Sequence, residues 1–402
     1  MAVNLQAPGE LLPVKGVRLA AVHAGIRYKE RNDLVLMELA EGSQVAAAFT
    51  RNAFCAAPVT VAREHLAQAT PRYLLINAGN ANAGTGDLGL TAARQSCADV
   101  AKSAACQTNQ VLPFSTGVIG QQLPVEKIAA ILPKAVAELD ANNWLLAARA
   151  IMTTDTVMKA LSKQVKLSSG TITITGMAKG SGMIHPNMAT MLAYVATDAK
   201  VEGATLQGLL QDVVEASFNS ITVDGDTSTN DALVVAATGQ SGVAVAGNDL
   251  AAFTAALREV CIYLAQAIVR DGEGATKFIS IEVEGARTKE EARVIGQTVG
   301  LSPLVKTAMF ASDPNWGRIL AAVGRSPIEA LDVSLVTIWL GDTLLIEKGQ
   351  PALSYREELG QIEMKKAEIP VRIAMGRGSA SAVTWTCDFS YDYVKINAEY
   401  RS

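Results

Sequence analysis

A mixed α/β protein, with helices layered on sheets, is the fold class this sequence predicts, and three observations predict it. Short apolar or β-branched runs of strand length alternate with stretches of helical periodicity along the whole chain. Apolar residues make up 49% of the sequence, mostly Ala, Val and Leu, so a sizeable core can be buried. At 402 residues the chain is too long for one small core, which implies either two lobes or one large layered domain with an extension.

Residues 73–78 (YLLINA) form a short apolar run closed by Gly79 and predict a buried strand. Apolar spacing over 88–105 predicts a helix, and 111–115 a strand. The spans 125–139 and 144–152 read as helices, with Pro133 expected to bend or split the first. Alternation in 171–175 (TITIT) predicts a strand, followed by a loop over 176–189 and a further strand over 191–197. Long helices are expected over 203–221 and 250–269, with a buried strand at 232–237 between them. Residues 278–283 and 335–340 are strand-like, and 369–375 with 382–386 should close a C-terminal sheet. The charged run 287–293 (RTKEEAR) marks the expected boundary of a smaller C-terminal lobe.

Composition removes several function classes. The net charge is −4 with no large basic block, so nucleic acid is not an expected partner. No apolar run approaches the ~18 residues of a membrane span, and the first residues lack a signal pattern, so a cytoplasmic protein is expected. Five scattered cysteines form no C-x-x-C pair, and only three histidines occur, far apart in sequence. A disulfide framework and a Cys/His metal site are therefore not expected, and no metal is assigned. A Ser-His-Asp or Cys-His hydrolase needs only one histidine, but none of the three sits in a recognisable motif.

Residues 176–192 (GMAKGSGMIHPNMATML) carry the chemistry. Glycines, a proline and an asparagine make this a shaped loop. A phosphate cradle around Lys179, Gly180 and Gly182 is one reading, but G-x-x-x-x-G-K-[ST] is absent and Lys179 precedes the glycines. The other reading starts from Ala189–Thr190. A threonine hydroxyl needs a base, and its own free α-amine can serve, with an ordinary pKa of about 7.7–8.0. An internal threonine gains that amine only if its hydroxyl attacks the preceding carbonyl and the resulting ester hydrolyses. The acidic run Asp224–Asp231 suggests calcium but fails the loop test: Thr229 stands where glycine is required and Val235 where a bidentate glutamate should be.

The segment KGSGMIHPNMATML resembles the self-cleavage motif of the ornithine acetyltransferase family, also called glutamate N-acetyltransferase. The stretches STGVIG from Ser115, TTDT from Thr153, SFNSITVDGDTSTND from Ser217, DPNWGR from Asp313 and the terminal INAEYRS match the same family in order. The resemblance implies cleavage between Ala189 and Thr190, giving pieces 1–189 and 190–402, with Thr190 the nucleophile. It implies an oxyanion hole from Thr116 and Gly117, and amino-acid contacts from Thr153, Lys179, Thr190, Glu273, Asn397 and Ser402. Thr154 and Thr156 compete with Thr153 for that role, and Ser402 replaces the family's usual terminal threonine.

The implied fold is an αββα-type sandwich like that of self-processing N-terminal-nucleophile acyltransferases. The implied reaction is ping-pong: acetyl passes from N2-acetylornithine to Thr190, ornithine leaves, and glutamate collects the acetyl group, in arginine biosynthesis. No cofactor is implied, although some members also take acetyl-coenzyme A as donor. The cleaved chains are expected to pair into a heterotetramer of two of each. Two alternatives stay open at this stage. One is a self-processing aminopeptidase or amidase of related fold using water as acceptor; the other is an uncleaved amino-acid-binding protein.

Overall fold

The computed structural model describes residues 2–185 and 191–399. From the N-terminus run β1 (Val17–Val22), β2 (Leu34–Leu39), β3 (Gln44–Phe49), α1 (Ala57–Gln68), β4 (Tyr73–Asn80) and α2 (Gly86–Ala104). Then come β5 (Val111–Val118), α3 (Val125–Ala137), α4 (Trp144–Ala150), β6 (Lys159–Leu167), β7 (Gly170–Lys179), β8 (Leu192–Thr197), α5 (Gly203–Ala216), β9 (Ala232–Ala237) and α6 (Asp249–Arg270). The C-terminal part holds β10 (Phe278–Ala286), α7 (Lys289–Gly300), α8 (Pro303–Phe310), α9 (Trp316–Gly324), β11 (Thr337–Leu340), β12 (Thr343–Glu347) and β13 (Gln350–Pro351). It ends with α10 (Glu357–Met364), β14 (Glu368–Ala374), β15 (Ala380–Cys387) and α11 (Tyr391–Ala398).

Two sheets face each other. The first has the order β1-β2-β4-β5 and the second β3-β9-β8-β7-β6. Leu19, Met37, Ile76 and Phe114 of the first pack on Met177, Tyr194 and Val234 of the second, in one shared core. Val100 of α2 and Leu132 of α3 cover the outer face of the first sheet against Leu36 and Leu75. Leu210 of α5 and Phe253 and Leu264 of α6 cover the second against Ile174, Val195 and Val235. The result is the expected αββα sandwich, each sheet buried on both faces because its strands are near-continuously apolar. The second sheet draws β3, β6 and β7 from one side of residue 189 and β8 and β9 from the other. The pairs β7–β8 and β3–β9 therefore tie the two expected pieces together.

A third sheet, β13-β12-β11-β14-β10-β15, has its own core with α7, α8 and α9, built on Ile281, Val283, Ile295, Val299, Ile338 and Val371. This is the smaller C-terminal lobe. The charged run 287–293 forms the turn into α7 and its first turn, where Thr288 caps the helix and Glu290 and Glu291 lie at its positive end. Phe278 already belongs to the third sheet, so the lobe begins ahead of that run.

The structure departs from the periodicity at several points. β7 continues four residues past 175 to Lys179, because β6 and β8 flank it through Lys159↔Ala178 and Lys179↔Leu192. The helix expected over 203–221 ends at Ala216 and passes into a tight turn at Phe218–Ser220. Pro133 neither splits nor ends α3; it is exposed, so solvent can satisfy the carbonyl whose partner it removes. Among the described residues one helix, α6, is long and apolar enough to cross a membrane, and it packs as a core helix on the second sheet.

Candidate active site

The site forms where the two facing sheets end on the same side. In the first sheet β4 and β5 run parallel, and the register slips at Gly79–Asn80. Gly79 has φ +104° and Gly117 φ +134°, and a Cβ on Gly117 would lie 2.3 Å from the Gly79 carbonyl carbon. Only glycine permits that approach. The bend is held from behind by the asparagine-rich stretch. Ser115 Oγ donates to Asn77 Oδ1 at 2.6 Å, Asn77 Nδ2 to the Asn80 carbonyl at 2.8 Å, and Asn82 N to Asn80 Oδ1 at 2.7 Å. These amides satisfy backbone groups that the broken ladder leaves over. Thr116 and Gly117 are thereby presented at the rim.

In the second sheet Lys179 closes β7, and Leu192 opens β8 between Lys179 and Ala232. Lys179 Nζ donates to Thr116 Oγ1 at 2.8 Å and to Thr153 Oγ1 at 3.4 Å. Burial lowers the lysine pKa, opposed by the charges of Asp155, Asp231 and Glu273. Because the Thr116 oxygen accepts from Lys179, its O–H remains to donate toward a developing oxyanion.

A buried ion network underlies these groups. Lys159 Nζ lies 2.6 Å from both Asp155 Oδ1 and Asp271 Oδ2, with all three side chains essentially inaccessible. Asp155 also accepts from Gly180 N at 2.7 Å and Thr153 N at 2.9 Å, while Asp271 accepts from Thr156 N at 2.9 Å and from the Thr156 hydroxyl. The network thus fixes the 153–156 turn against the end of β7. Burial alone would raise the Asp155 pKa, but Lys159 and Lys179 hold it well below the usual carboxylate range. Lys159→Met should therefore cost roughly 3–5 kcal/mol, since it strands two buried carboxylates, and urea denaturation measures it. The Asp155 contribution is complete above the unfolded carboxylate value of about 3.9 and is lost only as pH falls through its depressed folded value. Acid melts of the wild type should accordingly retain that contribution at about pH 4.

On the opposite wall Glu273 N donates to the Ser181 carbonyl at 2.8 Å, and Asn397 Nδ2 of α11 donates to Glu273 Oε2 at 2.9 Å. The Thr154 and Ser181 hydroxyls are 2.7 Å apart. A Cβ on Gly182 would sit 2.4 Å from the Glu273 carboxyl carbon, so that carboxyl lies against bare backbone. Burial raises the pKa of Glu273, with Thr154 and Asn397 lowering it in part. Beside the start of β9 stands Asp231, fully buried, whose Oδ2 has no hydrogen-bond partner among the described residues. Burial holds its carboxyl well above the usual range, and Ser228 and Lys179 draw it partly back.

The two walls enclose one cavity of about 240 Å³, with Asp231 and the Asp155–Lys159–Asp271 network behind its lining. It brings together Thr116, Gly117, Thr153, Lys179, Glu273 and Asn397, each expected from the resemblance. Thr154 joins Thr153 on its wall, while Thr156 turns away to Asp271. Ala189, Thr190 and Ser402 lie outside the described residues. Sequence reading singled out the 224–231 run, which holds Asn230 and Asp231, but missed Ser181 and the Asp155–Lys159–Asp271 network. Among the described residues no His/Cys/Asp/Glu group could hold a metal ion, the 224–231 run included. A larger opening of about 800 Å³, at the far end of the sheets beside Lys15, Arg18 and Arg72, includes none of the expected site residues.

The model of the ArgJ family matches residues 18–402. The chain is 55% identical over 395 residues to the arginine biosynthesis bifunctional protein ArgJ of Methylococcus capsulatus, covering 98% of this chain and 97% of that one. It is 52% identical over 406 residues to the protein of the same name from Pseudomonas syringae pv. tomato, covering 100% of both. Among solved structures, that of arginine biosynthesis bifunctional protein ArgJ from Bacillus halodurans is 40% identical, covers 50% of this chain and 96% of its own, and has a TM-score of 0.49. Ornithine acetyltransferase complexed with ornithine, from Mycobacterium tuberculosis, is 34% identical over 46% of this chain and 98% of its own, with a TM-score of 0.40.

Proposed function

The chain belongs to the ArgJ family, and on that premise we propose that it moves acetyl from N2-acetylornithine to glutamate through an ester on Thr190. It is an acyltransferase of arginine biosynthesis and bifunctional, with acetyl-coenzyme A as a second acetyl donor to glutamate.

The observation that carries the residue assignment is the Lys179–Thr116 hydrogen bond inside a cavity that also holds Glu273. Lys179 supplies the positive charge for the α-carboxylate common to both amino acids. The Thr116 hydroxyl and the Gly117 backbone N–H receive the oxyanion as the Thr190 oxygen attacks the acetyl carbonyl. The Thr190 α-amine takes the hydroxyl proton and returns it to the departing amine of ornithine. Glutamate then attacks the ester, and the same groups act in reverse order. Thr153 steadies Lys179, and Glu273 with Asn397 meets the far end of the substrate side chain. The cleaved pieces form a heterotetramer of two of each, and the protein works in the cytoplasm.

The test supplies purified protein with N2-acetylornithine, with and without glutamate. The expected result is N-acetylglutamate only when glutamate is present, with the acetyl ester trapped on the piece beginning TMLAYV. Acetate released at the same rate without glutamate would mean that water is the acceptor. A single band on a denaturing gel would remove Thr190 as the nucleophile.

A further inference from the structure

Ornithine and glutamate share their α-groups but carry opposite charges at the far end of the side chain. On the acetyltransferase reading, which this inference rests on, one nucleophile serves both, so both enter the same cavity in turn. Its volume of about 240 Å³ lies below the ~300–1,000 Å³ of drug-sized pockets, leaving room for one amino acid at a time. Among the described residues that line it, only Lys179 and Glu273 are charged. If Lys179 holds the α-carboxylate, Glu273 meets the ammonium of ornithine in one half-reaction and the γ-carboxylate of glutamate in the other. A fixed negative charge there favours the first ligand and repels the second.

We propose that Glu273 changes protonation with its occupant, acting as a carboxylate toward ornithine and as a neutral carboxyl that donates a hydrogen bond to the γ-carboxylate of glutamate. The proton comes from solvent as glutamate enters and returns to it when the acetylated product leaves; only the Glu273 O–H bond forms and breaks. The surroundings suit both forms. The carboxyl lies against Gly182, where a Cβ would sit 2.4 Å from its carbon, and accepts from Asn397 Nδ2 at 2.9 Å, which holds it on the cavity wall facing the ligand. Oε2 can go on accepting from Asn397 Nδ2, which also donates to the Tyr393 carbonyl at 3.0 Å, while the other oxygen carries or lacks the proton, and the Thr154 hydroxyl can donate or accept. Titratable groups face Glu273 from three sides: Lys179 on β7; Asp224, which accepts from Met183 N and Ile184 N; and Tyr393 on α11, whose phenol burial and nearby carboxylates, Glu273 among them, hold above its usual range. Burial is the largest influence and already moves Glu273 toward its neutral form.

The experiment is calorimetric titration of the cleaved wild-type enzyme with glutamate and, separately, with ornithine. It is run near neutral pH in buffers of different ionisation enthalpy. Neither ligand carries acetyl, so no transfer occurs, and proton changes at the shared α-groups cancel in the difference. Glutamate should take up about one proton more per site than ornithine. Its affinity should fall about tenfold per pH unit of increase above the Glu273 ionisation, with no such fall for ornithine. In Glu273→Gln the difference should vanish, ornithine should bind weakly, and glutamate should still bind. Equal proton counts in the wild type, or a difference that survives in Glu273→Gln, overturns the inference. If that variant does not fold, the wild-type proton counts decide alone. Absence of binding by both amino acids marks failure of the acetyltransferase reading itself.

Discussion

Thr190→Ala is expected to leave one uncleaved chain of full length and to abolish acetyl transfer. On the proposed mechanism, the single change removes the hydroxyl that attacks the Ala189 carbonyl and the ester-forming oxygen. Because the bond stays intact, it also denies the site its α-amine base. Groups acting as such a unit are not additive, and loss of a nucleophile typically costs of order 10⁶ in kcat. Thr190→Ser keeps an oxygen at the same place and should cleave slowly and transfer slowly. The fold should survive in both variants. The second sheet is already assembled by β7–β8 and β3–β9 pairing in the single chain, and the cores on its two faces take no part in the chemistry. Denaturing gels and melting curves read the two properties separately. A Thr190→Ala protein that still splits into two pieces would move the nucleophile elsewhere.

That prediction leans on motifs, and the motifs and the fold were legible to different degrees. Residues 232–237 and 73–78 stood out because a strand buried on both faces is a largely apolar run, although β4 continues two residues further to Asn80. β6 (KALSKQVKL) did not, because it is neither an apolar run nor a clean alternation and includes three lysines, one of them buried; its pairing with β7 makes it a strand. The end of β7 was hidden for a related reason. Gly176 weakens the local pattern, yet a Cβ there would lie 3.0–3.2 Å from Val195, Val260 and Leu264, so those core side chains would have to give way for a larger residue. At the site, Thr116, Gly117, Thr153, Lys179, Glu273 and Asn397 could be named only through family resemblance, since nothing in their spacing brings residues 116 and 397 together. The Asp155–Lys159–Asp271 network was illegible by either route. Asp155 and Lys159 are close in sequence, but their ion pair is completed by a carboxylate more than a hundred residues away at the end of α6. Such long-range partners explain why a lysine that sequence would place in solvent is wholly buried.

Thr116→Ala is the second substitution with a large expected effect, and its signature differs from that of Thr190→Ala. The hydroxyl accepts from Lys179 Nζ at 2.8 Å, which leaves its own hydrogen free for the oxyanion that the proposed mechanism places there. Losing one oxyanion donor costs ~10²–10³ in kcat, because that interaction strengthens only as charge develops on the oxygen. KM should change less, since Lys179 keeps its charge and its 3.4 Å contact with Thr153. Thr116→Ser restores both hydrogen bonds and should recover most of the rate, whereas Thr116→Val, equal in shape but without the hydroxyl, should not. The backbone half of the pair cannot be probed as cleanly. Gly117→Ala drives a Cβ to 2.3 Å from the Gly79 carbonyl carbon and forces the left-handed φ of +134° on a residue that resists it, so both strand ends must shift. Gly117→Ala should therefore lower both melting temperature and rate, while Thr116→Ala lowers rate alone. Steady-state kinetics with N2-acetylornithine and glutamate, set beside thermal melts, separate the two. A Thr116→Ala enzyme with unchanged kcat and raised KM would make Thr116 a substrate-binding group instead of an oxyanion donor.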